Sequence, residues 1–196
     1  MVPSRITTDR FVLRRFSRRD VEPLTEAVQA SLPELSRWLP WAHPGYRRDD
    51  AASFVRESAQ AWKEGRAFDF GIRAHHDPGR HLGNASIWHT SRMARSAEIG
   101  YWVRTDETSR GIATEVTAAL IDLAFGTMGL HKVVLRIAVG NRASERVAEK
   151  LGFHRDGVLR EELLIAGRWV DHTLYSLLSH EWQPARRATS ETDPVA

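Results

Sequence analysis

Residues Ser109 to Thr114 read SRGIAT, and EVTAALIDLAF follows before the next glycine. A glycine set among small and hydroxylated residues opens a strongly apolar-periodic helix here, with Val116, Leu120, Leu123 and Ala124 recurring at helical spacing up to about Met128. Gly129 then supplies a left-handed stop. Such a start serves either as a plain loop before a helix or as a site where backbone N–H groups stay open for an anion, favoured by the positive end of the helix dipole. The flanking sequence decides between them.

Upstream, Ala97 to Val103 (AEIGYWV) reads as a strand, preceded by strands over Phe68 to Ala74 and Leu82 to His89 that flank the turn HHDPGR. Downstream, Val133 to Val139 (VVLRIAV) is almost wholly apolar and β-branched, as a strand covered on both faces would be. Asn141 caps a short helix whose Val147 and Leu151 face inward, and Gly152 ends it. Two last strands, Val158 to Ile165 and Trp169 to Leu178, meet at Ala166-Gly167. At the other end, Phe11 to Phe16 forms a first strand. Asp20 caps a helix that tolerates Pro23 in its first turn, and Asp49 to Glu64 forms a second helix. Between these helices, Ser31 to Tyr46, with three prolines, reads as a loop broken by a helical turn.

The order β-α-α-β-β-β-α-β-α-β-β predicts a mixed α/β layer with an antiparallel first half. It lacks the strict alternation of a doubly wound dinucleotide fold, and no G-x-G-x-x-G follows a strand. The 196 residues suit one domain over 1–182, with the polar, proline-containing stretch 183–196 read as a disordered tail. With no cysteine, the chain has no disulfide, thiolate zinc site or cysteine nucleophile. His89, His131 and His172 fall in different elements without ligand spacing, so no metal is expected. No apolar run approaches the roughly 20 residues of a membrane span, and the start has no signal-like core. A cytoplasmic protein is the expectation. Of the 28 basic residues only Lys63, Lys132 and Lys150 are lysines. They are interspersed with acids and form no polybasic run, so nucleic acid is not an expected partner.

The strand AEIGYWV, SRGIATE opening a helix, a buried strand, then N-x-A-S and LGF in this order resemble the GNAT N-acetyltransferase superfamily. The C-terminal GVLREELLIAGRWVDHTLYSLLSHEW is similar to its RimJ/RimL-type branch, which includes acetylases of ribosomal protein N-termini. The resemblance is strongest from Gly83 to Trp182. It implies the GNAT acyltransferase fold: a central, mostly antiparallel twisted sheet flanked by helices, with a splayed strand pair for coenzyme A. The family's pyrophosphate loop, Q/R-x-x-G-x-G/A, falls on Thr108, Ser109, Arg110, Gly111, Ile112 and Ala113, with Thr114 next; Thr108 departs from the pattern. The implied ligand is acetyl-CoA. Tyr101, Trp102 and Val103 are then the strand that receives the pantetheine arm, an N–H near Trp102 or Val103 faces the thioester oxygen, and Asn141 contacts the cofactor. As residues, Tyr101 and Val103 lie on one strand face and Trp102 on the other, and Asn141 serves equally as a helix cap.

Many GNAT enzymes carry a tyrosine acid before LGF; here that position is Ala148. Ser144 is the replacement candidate. Glu98 corresponds to a carboxylate that some relatives use as base. A RimL-type glutamate falls on Leu163, beside Glu161 and Glu162. Trp38 and Trp41 lie where acceptor sites are built in this superfamily. The expected acceptor is a protein or peptide α-amine. A small amine such as a polyamine, amino acid or antibiotic, or a non-catalytic acyl-CoA sensor, are the alternatives. The apolar final hairpin also makes a homodimer reasonable.

Overall fold

The computed structural model describes residues 1–183; most of the predicted tail lies outside the described residues. Eight strands form one sheet in the order β1-β2-β3-β4-β5-β6-β8-β7. They are β1 (Arg5–Thr7), β2 (Phe11–Arg15), β3 (Ala67–Ala74), β4 (Gly83–Ser91), β5 (Ser96–Val103), β6 (Lys132–Ala138), β7 (His154–Ile165) and β8 (Arg168–Leu178). Four helices pack on it: α1 (Val21–Leu35), α2 (Arg48–Lys63), α3 (Ile112–Asp122) and α4 (Arg142–Lys150). The architecture is the mixed α/β layer that the element order predicts, and its sheet is mostly antiparallel, as the family resemblance implies.

Two apolar clusters follow from the alternation of strand side chains. The larger joins Leu13, Phe70, Ile72, Ile87 and Ile99 of the sheet to Val116, Leu120 and Ile121 of α3 and Val147 of α4. The other gathers Leu24, Ala27 and Val28 of α1 with Ala51 and Val55 of α2, and Trp102 of β5 joins it. Tyr101 and Val103 pack against the first cluster and Trp102 into the second. Their opposite faces are as strand periodicity predicts.

The one parallel contact matters most. β5 and β6 pair only over Ser96↔Lys132, Ala97↔Val133 and Glu98↔Val134, whereas on its other side β5 stays paired with β4 up to Gly83↔Val103. Beyond Glu98 the two strands part. Among the described residues, the main chain from Ile99 to Val103 therefore has one edge without a strand partner, a place where another extended chain could add hydrogen bonds.

Several expectations need correction. Ser31 to Leu35 is helix, not loop: α1 runs through Pro33 because Leu24, Val28, Ser31 and Leu35 continue one buried stripe, and that burial outweighs the missing proline donor near the helix end. Asp20 does not cap α1 with its side chain. Its carboxylate turns inward, accepting from Ser17 N–H at 2.8 Å and pairing with the buried Arg73 at 2.8 Å. The helix expected to continue to about Met128 is α-helical only over Ile112–Asp122 and continues as a π-turn, Leu123–Thr127. Val139 lies beyond β6 and is half exposed. β1, three residues with one half-buried side chain, has too little pattern to be read from sequence. Finally, β7 starts at His154 and carries an irregularity between Leu159 and Leu163.

Candidate active site

The SRGIAT segment bends where its residues permit. Ser109 (φ 63°) and Gly111 (φ 77°) both adopt the left-handed conformation, and Gly111 stands immediately before α3. Alternating left-handed residues turn successive N–H groups to one side, the concave arrangement that holds anions. Among the described residues none accepts a hydrogen bond from the N–H groups of 109 to 114; the first ladder bond of α3 runs from Glu115 N–H to the Gly111 carbonyl. These unengaged amides fit a diphosphate. The side chain of Arg110 pairs instead with Glu107 at 2.8 Å, and the Thr108 hydroxyl donates to the Thr105 carbonyl at 2.9 Å. Both side chains brace the turn.

The amides open into a cleft of about 470 Å³, well within the size range of small-molecule sites. Its walls include Tyr101, Trp102 and Val103 from the free edge of β5, residues 108, 109 and 111–114 from the loop and α3, Asn141 and Ser144 from the start of α4, and Trp38 from the end of α1. The residues singled out in sequence thus converge, with three exceptions. Arg110 and Glu98 are not among the lining residues. Trp41 is not among them either; it is exposed, with its ring 6.1 Å from that of Trp102 and 6.1 Å from that of Tyr46. Trp38 donates its indole N–H to Glu34 at 2.9 Å.

At α4, Asn141 Oδ1 accepts the Ser144 N–H at 3.2 Å, the capping geometry. The Ser144 hydroxyl stands 2.8 Å from the Tyr101 hydroxyl. Burial pushes the Tyr101 phenol up to about 12, so it keeps its proton at neutral pH. Ala148 is fully buried and brings no acid to the cleft.

On the opposite strand face, Glu98 sits at the last β5–β6 pair, where the strands separate. Arg136 Nε donates to both of its oxygens, at 3.0 and 2.9 Å, and also binds Glu162. Burial pushes the Glu98 carboxyl above the usual carboxylate range, against the pull of Arg136. The register of β7 explains Glu162. Between Leu159↔His172 and Leu163↔Val170, Asp171 alone opposes the bulged residues 160–162. Asp171 pins that bulge by accepting the Glu161 N–H at 2.8 Å, with Glu161 at φ 49°. Glu162, rather than Leu163, thereby faces Arg136.

Sequence reasoning missed other lining residues. Ala143, Arg146, Val147 and Lys150 of α4 border the cleft, and their i, i+3, i+4, i+7 spacing could have found them once Ser144 was placed. Arg10 carried no such signal. It comes from the β1–β2 turn, binds Glu115 at 2.7 Å and donates to the Arg110 carbonyl at 2.9 Å, against the loop from 100 residues away. No group of three or more His, Asp or Glu residues poised for a metal occurs among the described residues, nor does a helix long and apolar enough to cross a membrane.

A free strand edge leading to an amide-lined helix start is one geometry. The family model "Acetyltransferase (GNAT) domain" matches residues 10–154. The chain belongs to the GNAT acetyltransferase family. Among GNAT relatives, YdaF of Bacillus subtilis, provisionally named a ribosomal N-acetyltransferase, is 32% identical over 178 residues, covering 89% of this chain and 94% of its own. The [ribosomal protein uS5]-alanine N-acetyltransferase of Escherichia coli is 27% identical over 192 residues, 93% of this chain and 94% of its own. The solved structure of Mycobacterium smegmatis RimJ with CoA-disulfide superposes with a TM-score of 0.80 at 28% identity, covering 87% of this chain and 83% of that one.

Proposed function

We propose that this GNAT enzyme transfers an acetyl group from acetyl-CoA to the α-amine of a protein or peptide N-terminus. The observation that carries the proposal is the run of unengaged amides at 109–114, opening into a cleft bordered by the free edge of β5. The names of the relatives, which include ribosomal N-acetyltransferases, support the acceptor class. We read the reaction as cytoplasmic, in keeping with the ribosomal-protein acceptors named for the relatives.

Acetyl-CoA supplies an activated thioester. In this reading the amides around Gly111 and the α3 dipole hold its diphosphate, and the edge of Tyr101 to Val103 takes the pantetheine amides as an added strand would. An N–H near Trp102 or Val103 donates to the carbonyl oxygen as negative charge develops there. The Ser144 hydroxyl donates toward the leaving sulfur. Asn141 fixes the first turn of α4 from which Ser144 projects.

The acceptor enters along the Trp102 face of β5, where Trp38 also lines the cleft and the Trp41 ring packs beside that of Trp102. Glu98 shares that strand face with Trp102 and takes the proton the amine releases, with Glu162 across Arg136. This base has little to do. An α-amine with pKa near 8 is already about one-tenth neutral at pH 7, whereas a lysine amine near 10.4 is neutral in under about one part in a thousand. The carboxylates lining the cleft are Glu34 and Glu107. Both are matched by cations, Arg37 and the pair Arg80 and Arg110, which argues against a polyamine.

The test follows thiol release from acetyl-CoA with peptides beginning Ser, Ala or Met, and with polyamines. Turnover on the peptides alone is the expected result. Turnover only on polyamines overturns the acceptor class, and binding of acetyl-CoA without turnover on any amine overturns the enzymatic reading. Gly111→Glu should abolish acetyl-CoA binding, because a carboxylate would stand among the anion-binding amides.

A further inference from the structure

The strand and the helix that wall the cleft touch through a hydroxyl pair. Tyr101 projects from β5 after it has left β6, and its phenol reaches Ser144 in the first turn of α4. The phenol oxygen is 2.8 Å from Ser144 Oγ and 3.4 Å from the Ser144 carbonyl oxygen. The hydroxyl is thus the better acceptor by distance. Because the phenol stays protonated at neutral pH, it has a donor that needs an acceptor. When Tyr101 donates to Ser144 Oγ, the serine's own proton cannot point back along the same line. Among the described residues no other group takes that proton, and Ser144 borders the cleft. The serine rotor is thereby aimed into the open space.

The position from which the family resemblance expects a phenol, Ala148, is sealed in the same apolar cluster against which Tyr101 packs. A phenol reaches this region from the strand instead of from the helix.

We propose that Tyr101 is a positioning residue that donates its hydroxyl proton to Ser144 Oγ and so holds the serine proton toward the sulfur of the departing thiolate. As the C–N bond forms and the C–S bond breaks, Ser144 donates a hydrogen bond to the developing thiolate. The proton lost by the amine finally protonates that sulfur by way of the base or solvent. Tyr101 stays protonated throughout, and no net proton leaves the pair. This role rests on the acetyl-transfer reading above.

The experiment compares wild type, Tyr101→Phe, Ser144→Ala and the double variant, measuring kcat with an accepted N-terminal peptide and, separately, the Kd of acetyl-CoA by titration. Phenylalanine keeps the ring and its packing, so the Kd should change less than about twofold while kcat falls roughly tenfold, the worth of one neutral hydrogen bond. The double variant should be no slower than Ser144→Ala, because the phenol acts only through the serine. An unchanged kcat in Tyr101→Phe overturns the proposal, as do losses that multiply in the double variant or a loss confined to acetyl-CoA binding. Those outcomes leave the acetyltransferase reading standing, since wild type turns over in each. Absence of wild-type turnover on every amine overturns both.

Discussion

The carbonyl oxygen of Trp102 lies 2.1 Å from where a β-carbon on residue 83 would stand. Gly83 also has φ 146°, outside the range that side-chain-bearing residues favour. The close approach holds the end of β4 against β5 at Gly83↔Val103. That contact fixes the free edge on which the pantetheine arm is proposed to bind.

Gly83→Ala should therefore act twice. Backbone strain and the clash lower stability by at least about 2 kcal/mol, read as a shift of the denaturant midpoint. Displacement of Trp102 raises the Kd of acetyl-CoA in the protein that remains folded. Gly152→Ala is the control: its φ of 76° is also positive, though in the milder left-handed region, and nothing lies within 4 Å of the added carbon. If the two variants match in both measurements, the Gly83–Trp102 contact does not organise the edge.

How much of this was legible depended on the range of the cause. The open amides at residues 109–114 were readable because their determinants are consecutive: Gly111 and its neighbours set the backbone, and the amides come with it. Tyr101, Trp102 and Ser144 were placed by motif, and strand alternation correctly divided the faces. Their contact was not readable, because the Tyr101–Ser144 pair joins residues 43 positions apart through a tertiary approach that no local spacing encodes. Glu162 was hidden by the β7 bulge, which moves three residues past one and which only the Asp171 side chain opposite explains. Arg10 lay outside every pattern considered. Pro33 misled, since a helix breaker near a helix end costs one donor that a buried stripe can outweigh.

Glu98 yields a pH prediction. Burial raises its pKa above the ordinary glutamate value of about 4.3. A base works only when ionised, so kcat/KM should fall as pH drops through that raised value. Glu98→Gln removes the ionisation; because about a tenth of the α-amine is already neutral at pH 7, it should lower kcat/KM there by no more than about tenfold and erase that acidic limb. A profile whose acidic limb survives the substitution would assign Glu98 to structure alone, as the partner that neutralises Arg136.

His81 makes the fold itself acid-sensitive. It is 1% exposed, lies against the Arg73 guanidinium, and its Nε2 is 2.7 Å from Asn84 Oδ1. Burial, reinforced by the charge of Arg73, pushes its pKa down to about 3. Above the unfolded value of about 6.5, both states hold the ring neutral and it adds no pH dependence. Below that value the unfolded chain binds a proton the folded chain refuses, so stability declines with falling pH until about 3, by about 1.4 kcal/mol per unit. Urea unfolding at a series of pH values between 7 and 4 measures the total slope, and the His81 share is the part that a non-titrating variant removes. His81→Gln, which cannot protonate, should start less stable, because the Arg73 contact is imperfectly replaced, yet flatten the slope by close to one proton. A variant with the wild-type slope would place the responsible titration elsewhere, and a wild-type protein with no slope would mean that His81 accepts its proton without unfolding.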